Sequence, residues 1–99
     1  MELNELKSFT TVAKTGSFSL AAEQLHLTQP AVSKRVASLE LKLGARLFDR
    51  FGRRISLTEA GRQLLPRARK LLLEIDDILV ESGFLFLHLY HLGSKSVRS

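Results

Sequence analysis

Gln29, Ser33 and Lys34 have the side-chain types and the spacing to read nucleic-acid bases. Glutamine pairs bidentately with adenine, lysine donates to guanine acceptors, and serine addresses a base or a phosphate. Val32, Val36, Leu39 and Leu43 make one narrow inward stripe at helical spacing. Turning about 100° per residue from that stripe puts Pro30, Lys34, Ala37 and Leu41 on the opposite side. Ser33 and Ser38 flank that outer face, and Gln29 projects from the helix start. Arg50, Arg53 and Arg54 follow within five residues, and guanidinium groups so clustered suit phosphate contact or minor-groove entry. Leu41 does not suit a bare contact face and is expected to pack beyond its end.

The elements that must position these groups are legible in the same way. Leu3, Leu6, Phe9 and Ala13 recur at helical spacing with Lys7 and Lys14 on the other side, and Gly16 stops that helix. Ser19 is the expected N-cap of a short second helix whose apolar face is Ala21, Ala22 and Leu25. Leu27 bridges a tight turn. Thr28 caps the third helix, Pro30 sits in its first turn, and Gly44 ends it. The run LFDRFGRRISL reads as a small hairpin around Phe51-Gly52-Arg53. Thr58 then caps a long helix with Glu59 in its first turn, in which Pro66 removes one backbone bond and is expected to introduce a kink. Along it Leu65, Leu72 and Leu79 repeat every seven residues with Ala68 and Ile75 between them. A second column, Leu64, Leu71 and Ile78, lies alongside. Two apolar columns exceed what one helix needs to sit on a small domain, so the surplus asks for a partner helix.

Ninety-nine residues make one small domain with one appended element. A net charge of +5 favours a polyanionic partner, and its distribution sharpens the point. Residues 34–70 hold eleven lysines and arginines against three acids, whereas residues 71–82 hold four acids and no base. With no cysteine, disulfides and thiolate metal sites are excluded. His88 and His91 at i, i+3 lack a convincing third ligand, so no metal and no cofactor is assigned. No nucleophile–base pair, carboxylate cleft or glycine-rich phosphate loop can be assembled, and an enzyme is not expected. Glu40 reads as a structural partner for a neighbouring arginine or lysine. Arg62, Arg67, Arg69 and Lys70 fit a solvated polar face, and Arg35, Lys42 and Arg46 fit either that role or flanking phosphates. Glu2, Glu5 and Lys7 interrupt any leader-like apolar core, and the apolar stretch 84–92 is too short to span a bilayer. A cytoplasmic protein without a membrane partner is expected.

On spacing alone the unit from Phe18 to Val36 is either a helix-turn-helix or a generic three-helix bundle with a polar exposed face, and the basic block that follows favours the first. Two readings of function stay open, and one is a helix-turn-helix that reads DNA. The other is a helical dimeric protein-interaction module whose basic face serves an acidic protein or membrane surface, and FLFLHLYHL is its best support.

The runs GSFSLAAEQLHLTQPAVSKRVASLE, LKLGARLFDR and RRISLTEAG, after the opening LNELKSFTTVAKTG, resemble the amino-terminal part of the LysR-type transcriptional regulators. The likeness covers residues 1 to about 82, with its elements in order and at matching spacings. It implies a mainly α fold: a winged helix-turn-helix at 1–58 with its motif at about 18–37, and a linker helix at 59–82 that dimerises antiparallel. It implies a homodimer, or a higher oligomer, bound to double-stranded DNA at an interrupted inverted repeat. Family-like contacts fall on Gln29, Pro30, Ser33 and Lys34, and in the wing on Arg50 and Arg53, beside Arg54. The dimer seam falls on Leu65, Ala68, Leu72, Ile75 and Leu79. The family usually has Arg-Gln where this chain has Lys34-Arg35, and a polar residue is frequent where it has Phe51. Such regulators continue into a two-lobed inducer-binding domain, whose start the tail at 83–99 does not match, so no small-molecule inducer is assigned to this chain.

Overall fold

A computed structural model describes the backbone of residues 1–97 and the side chains of residues 1–81. His88, His91 and the apolar tail lie outside the residues whose side chains are described. The element order is α1 (Leu3–Thr15), α2 (Phe18–Leu25), α3 (Gln29–Leu43), β1 (Phe48–Phe51), β2 (Arg54–Leu57) and α4 (Glu59–Val97). This is the expected fold class: a three-helix bundle, a two-stranded wing and a long final helix.

Local chemistry fixes most of the boundaries. Gly16 ends α1 in the left-handed conformation, φ 71°, which costs glycine nothing. The cap of α2 is Ser17, not Ser19: its backbone is extended, and its Oγ accepts the Leu20 N–H at 3.1 Å. Starting there makes Phe18 the first helical residue and buries its ring, while Ser19 is left exposed in the first turn. Helix α2 closes at His26, the one non-glycine residue with positive φ among the described residues. The next helix begins at once, because Thr28 Oγ1 accepts the Ala31 N–H at 3.2 Å and Pro30 lies in the first turn.

Leu6, Phe9 and Val12 of α1 meet Phe18, Ala21 and Ala22 of α2, Val32, Val36 and Leu39 of α3, and Leu47, Phe48 and Ala68. Phe9, Val12, Val32 and Leu39 are fully buried, each stabilising by roughly 1.5–3 kcal/mol against exposure. The small Ala21 and Ala22 let α2 lie close to its neighbours. The inward stripe of α3 holds for Val32, Val36 and Leu39 but not for Leu43, which is 39% exposed at the helix end. Leu41 finds no packing in the single chain and is 84% exposed.

The hairpin pairs Phe48 with Leu57, Asp49 with Ser56, Arg50 with Ile55 and Phe51 with Arg54. Gly52 and Arg53 form its two-residue turn, with Gly52 at φ 61°, the position where such turns demand glycine. Glu40 serves the loop before the wing. Its Oε2 accepts the Leu47 N–H at 2.7 Å, so it braces backbone instead of pairing with a neighbouring cation. Thr58 then locks wing to helix, donating to the Arg46 carbonyl and accepting the Gly61 N–H at 3.1 Å. Gly61 is needed for packing. A Cβ there would collide with the Leu47 carbonyl oxygen and lie 2.8 Å from Leu57 Cδ2.

Helix α4 continues through Pro66 and past residue 82 without interruption. Of the apolar positions along it, Ala68 is 2% exposed in the single chain, and Leu64, Leu65 and Leu72 pack against the same core. Farther along, Ile75 is half-buried, while Ile78 and Leu79 are 59% and 57% exposed.

Candidate nucleic-acid interface

The outer face of α3 and the inner face of the wing are the two surfaces that carry the candidate contacts. Gln29 and Pro30 are exposed in the first turn of α3, Lys34 is exposed one turn later, and Ser33 is half-buried beside it. Among the described residues, neither Ser33 nor Lys34 spends its polar end on another side chain. Because alternate strand residues share a face, Phe48 and Arg50 both point toward α2, whereas Phe51 and Arg54 point away.

Phe18 meets both inward residues. Its ring stands edge-on to Phe48, with centroids 5.8 Å apart, and the Arg50 guanidinium carbon lies 4.4 Å from its centroid. The wing is thereby tied to the start of α2. Gln29, Arg50 and Arg53 then converge on one open groove of about 220 Å³, with Ser17, Ser19 and Gly52 among its other walls. The groove collects hydroxyls, guanidinium groups and one amide. It can hydrogen-bond and neutralise a phosphate, and no acid lines it.

A second depression of about 340 Å³ runs along α3, lined by Lys34, Arg35, Ser38 and Lys42 together with Glu2 and Glu5. Glu5 is only 4% exposed yet charged. It accepts from the Glu2 N–H at 2.9 Å, the Ser38 hydroxyl at 2.6 Å and the Lys42 ammonium at 3.0 Å. These partners, the Glu2 backbone first, hold its pKa at about 2. Lys42 is committed to that carboxylate, which leaves Lys34 and Arg35 as the cations this edge of α3 can offer a partner. Glu59 is likewise held below its ordinary value by Arg62, whose guanidinium also donates to the Leu57 carbonyl at 3.0 Å. Arg62 is therefore occupied by the helix start.

The structure gathers Gln29, Arg50 and Arg53, and keeps Pro30, Ser33 and Lys34 along the adjoining helix face. Arg54 stands on the outward side of the hairpin, away from the groove. Reading the sequence missed Glu5, Ser17 and Phe18. Alternation places Phe48 and Arg50 on one face of β1, but the approach of Phe18 to that face is tertiary and has no local signal. Among the described residues no group of three potential ligands could hold a metal ion.

The family model for bacterial regulatory helix-turn-helix proteins of the lysR family matches residues 3–62. The chain is similar to an uncharacterized HTH-type transcriptional regulator in the ibpB-leuC intergenic region of Azotobacter vinelandii, 62% identical over 77 residues, which are 78% of this chain and 54% of that protein. It is 48% identical over 77 residues to the HTH-type transcriptional regulator CfxR of Cupriavidus necator, covering 78% of this chain and 24% of that one. The chain thus spans about half of the first relative and a quarter of the second. Among solved structures it resembles the CbnR DNA-binding domain–DNA complex, with TM-score 0.78 and 36% identity over 86% of this chain and 98% of that one. The complex of the BenM DNA-binding domain with catB site 1 DNA matches at TM-score 0.81 and 33% identity, over 86% of this chain and 96% of that one. With its bundle, wing and long helix in place, the chain belongs to the LysR family of bacterial regulatory helix-turn-helix proteins and carries the winged helix-turn-helix DNA-binding domain of that family.

Proposed function

We propose that the chain binds double-stranded DNA as a homodimer at an interrupted inverted repeat and thereby regulates transcription. The observation that carries this reading is the convergence of Gln29 from α3 with Arg50 and Arg53 from the wing on one acid-free groove. A helix inserted in the major groove presents its amino end to base edges, which is where Gln29, Pro30, Ser33 and Lys34 stand. Arg50 and Arg53 take flanking phosphate or the minor groove, and Arg54 adds charge from the outer side of the hairpin. Phosphate contacts supply much of the affinity, so binding weakens steeply as salt rises. The similar domains of CbnR and BenM, solved with DNA, support the same assignment.

Dimerisation belongs to α4. Leu65, Ala68 and Leu72 lean on the chain's own core, so the seam read from the heptads is carried by Ile75 and Leu79, with Leu71 and Ile78 of the second column beside them. The exposed apolar surface of Leu71, Ile78 and Leu79, with half-buried Ile75 between them, is what a second copy of the helix covers. Two recognition helices then enter successive major grooves roughly 34 Å apart, or a multiple of that. No helix among the described residues is long and apolar enough to cross a membrane. No inducer is assigned to these residues.

The test is replacement of Ser33 and Lys34 by alanine. Each base contact is worth about 1–3 kcal/mol, so specific affinity falls at least about tenfold while the dimer mass and the thermal midpoint hold. Unchanged specific affinity contradicts the reading.

A further inference from the structure

We propose that Phe18 is a positioning residue for DNA contact, its ring holding the Arg50 guanidinium in the orientation with which the wing meets phosphate. The inference rests on the DNA-binding reading above and assigns a role to a residue that touches no DNA in it.

The geometry begins in the core. Phe9 is fully buried, with its ring centroid 5.4 Å from that of Phe48. Phe48 stands edge-on to Phe18, and Arg50 lies over the Phe18 face within the distance at which a cation is attracted by a ring quadrupole. Three aromatic rings therefore lead from the centre of the bundle to one surface cation. Phe18 cannot drift, because it opens α2 directly after the Ser17 cap and is 7% exposed.

An arginine on a small hairpin otherwise samples many rotamers and loses that freedom on binding. A carboxylate partner would hold it still but would consume its N–H donors and cancel its charge. An aromatic face does neither, since it engages the flat of the guanidinium and leaves the donors along its edge. Among the described residues Arg50 has no ion pair and no side-chain hydrogen bond, so its full donor set is available to phosphate. The same stack holds Arg50 at the groove that it shares with Gln29 of the recognition helix.

The experiment is a double-mutant cycle on a duplex recovered by selection with the wild-type chain. Affinity is measured across salt for wild type, Phe18→Leu, Arg50→Gln and the double variant. Phe18→Leu is expected to weaken binding about three- to tenfold, yet to change it less than about twofold once Arg50→Gln is present. An equal loss in both backgrounds overturns the proposal, since Phe18 would then act through the fold alone. Two further readouts stand if Phe18→Leu fails to fold. Fluorinated phenylalanine at position 18 keeps the shape and weakens the negative ring face, so affinity should fall with fluorination at constant Tm; indifference to fluorination overturns it. The Arg50 side-chain protons should show upfield ring-current shifts in the DNA-free protein, and their absence overturns it as well. A wild-type chain that selects no duplex removes the DNA reading and this proposal together, an outcome distinct from a bound duplex with no coupling.

Discussion

Lys42 Nζ lies 3.0 Å from each carboxylate oxygen of Glu5, joining the start of α1 to the last turn of the recognition helix across a nearly buried charge. Ser38, one turn earlier on α3, donates to the same carboxylate at 2.6 Å. Helix α3 is thus anchored by its carboxyl-terminal half, which leaves its amino-terminal half, with Gln29, Ser33 and Lys34, clear for a partner.

This anchor makes stability depend on acid. The Glu5 pKa is lowered from 4.5 to about 2 in the fold, by the Glu2 N–H first and then by Ser38 and Lys42. A depressed carboxylate stabilises the fold above its unfolded-state pKa, and that contribution is lost as pH falls through the folded value. Glu5→Gln should therefore lower Tm at pH 7, and the gap to wild type should close between about pH 4.5 and pH 2. Thermal melts across that range check it, and a gap that widens toward pH 2 contradicts it.

Gly61 sits where α4 crosses the strand entry, with the Leu47 carbonyl occupying the space of a side chain. Alanine is the better helix former in the abstract, but here overpacking decides the sign. Gly61→Ala should destabilise by about 1–3 kcal/mol, read from denaturant unfolding. Stabilisation would mean that α4 does not approach the wing this closely.

Ile78 lies beyond the contact of α4 with its own domain and is largely exposed. A charge placed there should break the dimer without unfolding the bundle. Ile78→Asp is expected to give a monomer by light scattering, with Tm little changed at low concentration and affinity for a two-site duplex cut by at least about tenfold. A variant that stays dimeric places the seam elsewhere.

What was legible in the sequence was what local rules decide. Gly16, Thr28, Gly44 and Thr58 announce helix ends through backbone freedom or a capping oxygen, and the Val32–Val36–Leu39 stripe declares which face of α3 is inward. Ser17 and Ser19 both satisfy the capping rule, and only the demand that Phe18 reach Phe48 chooses between them. Glu5 has one local partner, the Glu2 N–H, but Ser38 and Lys42 stand 33 and 37 residues away, beyond the reach of local rules. Phe18 under Arg50 depends on the hairpin register. The apolar columns of α4 were readable, but periodicity cannot divide them between the chain's own core and a second copy. Ala68 and Leu72 show that the first use takes part of the stripe.

The most direct test of the central claim is selection of bound duplexes from a random DNA library by the purified chain at near-physiological salt. Enrichment of an inverted repeat whose half-site centres lie one helical turn, or a multiple of it, apart is expected. Recovery of unselected DNA that is lost as salt rises would contradict it. The groove formed by Gln29, Arg50 and Arg53 would then be a basic surface without sequence preference, and the protein-interaction reading would take its place.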